Sequence, residues 1–115
     1  MDPLELYNLI SNHKSIVDTI ANGKSGSVEL SDKYTIGVVV KYLEDYSSAP
    51  VLIGQYVTYW AAVKRKLLFL TSYWYIYKIK VFTNIDKVIN VDISGNKELD
   101  IEAICNILRK GESQC

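Results

Sequence analysis

One histidine, two cysteines and a formal net charge of zero leave this chain with few of the parts from which active sites are built. His13 is the only side chain that titrates near neutrality without perturbation. With no second imidazole, a zinc site would need both cysteines plus carboxylates, a poor match to the usual ligand sets. Two cysteines also argue against a disulfide framework, since Cys105 falls in an apolar helical pattern and Cys115 is the final residue. The longest apolar run, Leu67 to Tyr77, is too short and too rich in tyrosine to span a bilayer. Met1-Asp2-Pro3-Leu4-Glu5 lacks the basic and apolar regions of a signal peptide. A cytoplasmic protein with no cofactor, no metal site and no membrane partner is the expectation. Glutamine is scarce as well, two residues beside abundant Ile, Lys and Tyr, a balance met in thermophiles and AT-rich genomes, viral ones included.

What is plentiful points to an ordinary folded domain. At 115 residues, 49% apolar and 23% charged, the chain suits a single domain over 1–115 that buries roughly two-thirds of its unfolded surface, with 111–115 expected as a disordered tail. Nine Tyr and two Trp against two Phe favour apolar surfaces that stay partly wet. Charge is unevenly spread. Residues 51–90 hold six bases and one acid, net +5, while the first fifty residues are net −3 and the last twenty-five net −2. Such a positive middle is either a surface patch or a segment neutralised by its flanks.

The chain opens on helix signals: Asp2 as N-cap, Pro3 at the first position and Glu5 completing a capping box. Leu6, Leu9, Ile10, His13, Ile16, Val17 and Ile20 then share one face up to a stop at Asn22-Gly23. Ser27 to Ser31 reads as a short edge strand. Between Ser31 and Ser47 two readings compete. Thr35-Ile36-Gly37-Val38-Val39-Val40 is β-branched, favouring a strand. Ile36, Val39, Val40, Leu43 and Tyr46 fall at helical spacing, and the charged Lys41, Glu44 and Asp45 favour a second helix. Beyond the break at Ser47–Pro50 come three strand-like runs, Val51–Val63 with a bulge or bend expected at Gly54, Leu67–Phe82 and Lys87–Ile93. Lys64-Arg65-Lys66 is the expected turn between the first two. In the third run Ile89, Val91 and Ile93 would point one way and Val88, Asn90 and Asp92 the other. After a turn at Ser94–Asn96, acidic Glu98, Asp100 and Glu102 and basic Arg109 and Lys110 bracket a last helix, closed by Gly111. The expected fold is therefore α+β: two N-terminal helices, an antiparallel sheet of three to five strands, and a C-terminal helix packed on it.

Single candidates for chemistry each have a plainer explanation. His13 lies on the apolar stripe of the first helix, where a packed histidine outweighs a ligand or base. Cys105, spaced with Ile101 and Leu108, reads as a small buried hydrophobe. Gly23-Lys24-Ser25-Gly26-Ser27 lacks the full phosphate-loop pattern and follows a helix, so it is a linker. The carboxylates Glu44-Asp45 and Asp100/Glu102 are not helix-face neighbours, and the second set is accounted for by the helix dipole.

One constellation stands apart. Lys64, Arg65, Lys66, Lys78 and Lys80 are interleaved with Tyr56, Tyr59, Trp60, Tyr73, Trp74, Tyr75 and Tyr77. Bases beside stacking aromatics on a sheet are what single-stranded nucleic-acid binders use. The plain alternative is a core of aromatics with lysines along a solvated edge. Alternation places Tyr73, Tyr75 and Tyr77 on one face, which, left uncovered, would suit a protein partner or a second copy. The order of elements allows a winged-helix module, with Lys64–Lys66 as the wing and Asp32–Tyr46 as a recognition helix, although that helix would carry two acids, Glu44 and Asp45, at its exposed end and little arginine, and no family is recognised. The strands followed by a helix are also similar in outline to pleckstrin-homology-like domains, but the strands are too few and no diagnostic motif is present. The reading that results is a small non-catalytic binding or regulatory protein working through protein contacts, with a homodimer expected. Nucleic-acid binding through the basic, aromatic hairpin comes second, and an enzyme or a small-molecule substrate is a distant third.

Overall fold

The computed structural model describes residues 3–45, 51–82, 87–92 and 98–113. Asp2, Tyr46, the Ser47–Pro50 break, Ile93, the Ser94–Asn96 turn and Cys115 lie outside them, as do the side chains of 88–92 on which the expected alternation of the last run rests.

What reads as one N-terminal helix is two, α1 (Pro3–Ser11) and α2 (Lys14–Ala21). The break falls at polar residues whose side chains compete for the backbone. Ser11 Oγ and Asn12 Nδ2 both donate to the Asn8 carbonyl, at 3.2 and 2.8 Å. His13 then takes an extended conformation and caps α2, its Nδ1 accepting from the Ser15 N–H at 3.2 Å. Asn22-Gly23 ends α2 as the sequence predicts. Gly23 has φ +68°, its N–H donates to the Ile20 carbonyl and the Lys24 N–H to the Thr19 carbonyl, which is the Schellman arrangement.

Five antiparallel strands follow in simple meander order: β1 (Gly26–Glu29), β2 (Tyr34–Asp45), β3 (Val51–Leu67), β4 (Leu70–Phe82) and β5 (Lys87–Asp92). The segment 34–45, expected as a helix, is a strand. Its period of two wins: Tyr34, Ile36 and Val38 are buried on one side, and the β-branched run fits a pleated surface. Ser31 caps no helix. Its Oγ accepts from the N–H groups of Lys33 and Tyr34, both at 3.2 Å, and so tightens the β1–β2 turn. With 34–45 a strand, the segment offers no recognition helix and the winged-helix arrangement is ruled out. The expected turn at Lys64–Lys66 is also corrected. Strand β3 continues through these residues to Leu67, and the turn is Leu68-Phe69. The irregularity expected at Gly54 is present, the β2–β3 register shifting between Leu43 and Glu44 opposite Gly54 and Leu52.

The last helix, α3 (Glu98–Ser113), runs past Gly111, where the sequence places its end. All three helices cover the same side of the sheet. Leu6, Ile10, Ile16, Ile101, Ile104, Cys105 and Leu108 meet Ile36, Val38, Val57, Tyr59, Ala61, Tyr77, Ile79 and Val81 in one core. Two tyrosines tie helices to strands: Tyr77 Oη donates to the Pro3 carbonyl at 2.5 Å, and Tyr34 Oη donates to Asp100 Oδ1 at 2.7 Å. This is a two-layer α+β fold. Its Cα radius of gyration, 15.4 Å, exceeds the roughly 13 Å of a compact chain of this length. A protruding β3–β4 hairpin contributes to the difference, since the last β2 partner on β3 is Val63 and β5 pairs with β4 only from Lys78 onward.

Candidate functional site

The functional question turns on the side of the sheet away from the helices. In β2 and β3 this face is read directly from the register: Gly37 opposite Trp60, Val39 opposite Thr58, Lys41 opposite Tyr56. Strand β4 adds Lys78 opposite Trp60 and Lys80 opposite Thr58. Tyr75 joins them because of a bulge. Between Ala61 and Ala62 the β3–β4 register slips, Ala61 facing Tyr77 and Ala62 facing Tyr75, so Ile76 is the extra residue. One inserted residue inverts the faces beyond it. Tyr75 therefore lies with Trp60, ring centroids 5.2 Å apart and nearly perpendicular, while Tyr77 is turned into the core, 1% exposed. The expectation that Tyr73, Tyr75 and Tyr77 share a face is thus corrected. The bulge is invisible to a strict alternation.

Gly37 provides the floor. A Cβ built there would lie 2.2 Å from the Trp60 ring and 2.8 Å from the Gly26 carbonyl oxygen, so only glycine lets the indole settle onto β2. Around it, Lys78 Nζ stands 4.5 Å from the Tyr75 ring centroid and Lys80 Nζ 5.3 Å from that of Tyr56, both within cation–π range. Tyr56 in turn packs on Phe82 at 5.0 Å. Val39, Lys41, Tyr56, Thr58, Trp60, Tyr75, Lys78 and Lys80 line a shallow hollow of about 290 Å³. It holds three ammonium groups; among the described residues of its lining there is no carboxylate, while strand β5 pairs Asp92 opposite Lys78.

The expected site residues thus divide three ways. Trp60, Tyr75, Lys78 and Lys80 come together on the open face. Tyr59 and Tyr77 belong to the core, where Tyr59 packs edge-on against Tyr7 at 5.2 Å and burial pushes its phenol up to about 12, with Tyr7 adding to the rise. Lys64, Arg65, Lys66 and Tyr73 stand on the projecting hairpin. Lys64 is the least available of these, its side chain 7% exposed and ion-paired with Glu29 on β1. Arg65 lies over the Trp74 ring at 4.6 Å. Lys41, Val39 and Thr58 are additions that sequence reading misses. The helical reading of 34–45 hides Lys41, and the β-branched Thr35–Val40 run is the signal that could find it.

The remaining candidates have structural explanations. Burial raises the Cys105 thiol to about 11, with Glu102 as a lesser cause, which keeps it protonated and unreactive near neutrality. His13 is a helix cap. A larger hollow of about 420 Å³ lies on the other side of the molecule, between the α1–α2 break, β1 and the end of α3. It is lined by apolar side chains such as Leu9, Val28 and Ile107, with Asn12, His13, Lys14 and Glu29 also on its lining. Among the described residues no three His, Cys, Asp or Glu side chains gather as metal ligands, and no helix is long and apolar enough to cross a membrane. Comparison with protein-family models, curated proteins and solved structures returns no match.

Proposed function

We propose that this is a non-catalytic binding protein and that the open sheet face takes a single-stranded nucleic acid. The observation behind the reading is the grouping of Lys41, Lys78 and Lys80 with Tyr56, Trp60 and Tyr75 on a face that none of the described helices covers. Ammonium groups around one hollow suit a phosphate backbone, and aromatic rings beside them suit unstacked bases. Protein contact, including a second copy, is the competing reading, since the same rings would serve it. A twofold self-contact through this face, however, gathers the three lysines and their three copies into one interface. Like charges brought together in a contact cost on the order of several kcal/mol. Nucleic acid therefore ranks first for this surface.

The test is retention of a labelled oligothymidylate or oligouridylate on a filter, across a salt series. Three phosphate contacts give a log–log slope of about −2 for a single strand. Trp60→Ala should weaken binding about tenfold or more, as loss of one stacked base does. Lys78→Glu with Lys80→Glu should abolish it. If neither DNA nor RNA is retained at low salt, and light scattering gives a mass near twice 13.1 kDa, the protein-contact reading replaces this one.

A further inference from the structure

The tip of the β3–β4 hairpin has no place in that reading. Leu67, Leu68, Phe69 and Leu70 are 75%, 91%, 101% and 75% exposed. Single exposed hydrophobes are common on any protein, but four in sequence at the end of a projecting arm are not. The turn itself runs against turn chemistry. Leu68 has φ +57°, the only positive φ among the described non-glycine residues, at a two-residue hairpin position that ordinarily takes glycine or asparagine. Where water would favour Asn-Gly, the chain has Leu-Phe.

We infer that this tip inserts into the interface of an anionic lipid bilayer and holds the protein on a membrane surface without crossing it. Three observations select a bilayer over other occupants. First, the tip is the free end of a ribbon, and its four consecutive apolar side chains are each at least three-quarters exposed. A protein partner laid flat against the ribbon would leave part of this surface wet, whereas lipid can surround a projecting tip. Second, polarity is layered along the arm. The turn and the Leu67–Leu70 rung make an apolar cap of roughly 5–7 Å at 3.3 Å per residue, close to the depth of interfacial insertion. Behind it come Lys66 opposite Thr71 and Arg65 opposite Ser72, at headgroup level. Behind these stand Tyr73 and Trp74, about half exposed, the residue types that favour the interfacial belt. Third, charge is complementary: no acid occurs between Val51 and Phe82, so nothing on the arm opposes an anionic surface.

The expectation of no membrane partner rests on the lack of a spanning segment, and a surface anchor needs none. The inference is independent of nucleic-acid binding. Trp60 is seven residues back from Leu67, about 23 Å along the strand, which leaves the open face clear of the bilayer.

The experiment is co-sedimentation of the full chain with vesicles of phosphatidylcholine alone and of phosphatidylcholine with one-third phosphatidylserine. The chain should pellet with the anionic vesicles, and less so as salt rises. Leu68→Gly with Phe69→Asn should weaken binding on the order of a hundredfold, since two large apolar groups are lost from the bilayer. Both new residues suit the turn, so this variant should fold at least as well, checked by circular dichroism. Arg65→Gln and Lys66→Gln should each cost about fivefold and flatten the salt dependence. The inference is overturned if the chain ignores both vesicle types, or if the Gly-Asn variant pellets as well as the parent. It is equally overturned if neither protein binds lipid while the parent alone is a dimer by light scattering, because the tip would then belong to a second copy.

Discussion

Tyr59 and Trp60 are neighbours in β3 and have opposite surroundings. Tyr59 packs under α1 with its phenol pushed up to about 12, and Trp60 rests on Gly37 among lysines on the uncovered side. Tyr77 and Tyr75 repeat the contrast on β4, one bonded to Pro3 in the core and one beside Trp60. The two faces of this sheet draw on the same residue types. What separates them is position relative to the helices and to one bulge at Ile76, so aromatic content alone says little about role.

If the helix-covered face is the energetic core and the open face a platform, truncations should differ most sharply between them. Ile79→Ala, at a fully buried site, should cost about 2–5 kcal/mol in urea unfolding. Val39→Ala, 37% exposed on the open face, should cost less than about 1 kcal/mol. Comparable losses at the two positions would mean that the open face is covered in solution, and the comparison would fail.

The next largest effect is in alkali. The Tyr59 phenol is raised from 10.0 to about 12 and the Cys105 thiol from 9.0 to about 11, both chiefly by burial. The folded state thus favours the neutral form of each group. That stability is fully present below the unfolded pKa and is lost as pH rises through the folded one: from 9 to about 11 for Cys105 and from 10 to about 12 for Tyr59. A tenfold difference in proton affinity between the folded and unfolded states is worth about 1.4 kcal/mol. Unfolding free energy should therefore fall above about pH 9, and Tyr59→Phe should remove the part lost between pH 10 and about 12. A Tyr59→Phe profile that matches the parent would place this ring outside the dry core.

Gly37 joins the two faces in one residue. Gly37→Ala must displace either the indole or the Gly26 carbonyl, at a cost of about 1–3 kcal/mol. It should also shift tryptophan emission and weaken oligonucleotide retention in step. Unaltered binding with lowered stability would separate Trp60 from the platform.

Much of this arrangement is legible from the sequence. A helical N-terminus, an antiparallel sheet and a C-terminal helix follow from periodicity, caps and breakers; the expected pair of N-terminal helices does not, because the first is split at Ser11–His13 and the second is strand β2. The errors have definite causes. The spacing of Ile36, Val39, Val40 and Leu43 satisfies a helical period while the same segment alternates as a strand, and only pairing with β1 and β3 decides between them. Lys64-Arg65-Lys66 resembles a turn because its residues are polar, yet the turn forms at Leu68-Phe69, against local preference. The bulge at Ile76 leaves no local mark, so the lysine–aromatic cluster can be gathered from the sequence but not sorted by face.

The smallest effect tests that sorting most directly. Tyr77 Oη donates to the Pro3 carbonyl at 2.5 Å from a fully buried ring, so Tyr77→Phe should cost about 1 kcal/mol, the worth of a typical internal hydrogen bond. Tyr56→Phe, on the half-buried open face, should fall within about 0.5 kcal/mol of the parent. Paired urea melts of the two variants compare hydroxyls that differ mainly in which face carries them. Equal effects would mean that the Tyr77 hydroxyl is not held by α1, and that the bulge at Ile76 does not divide the tyrosines as described.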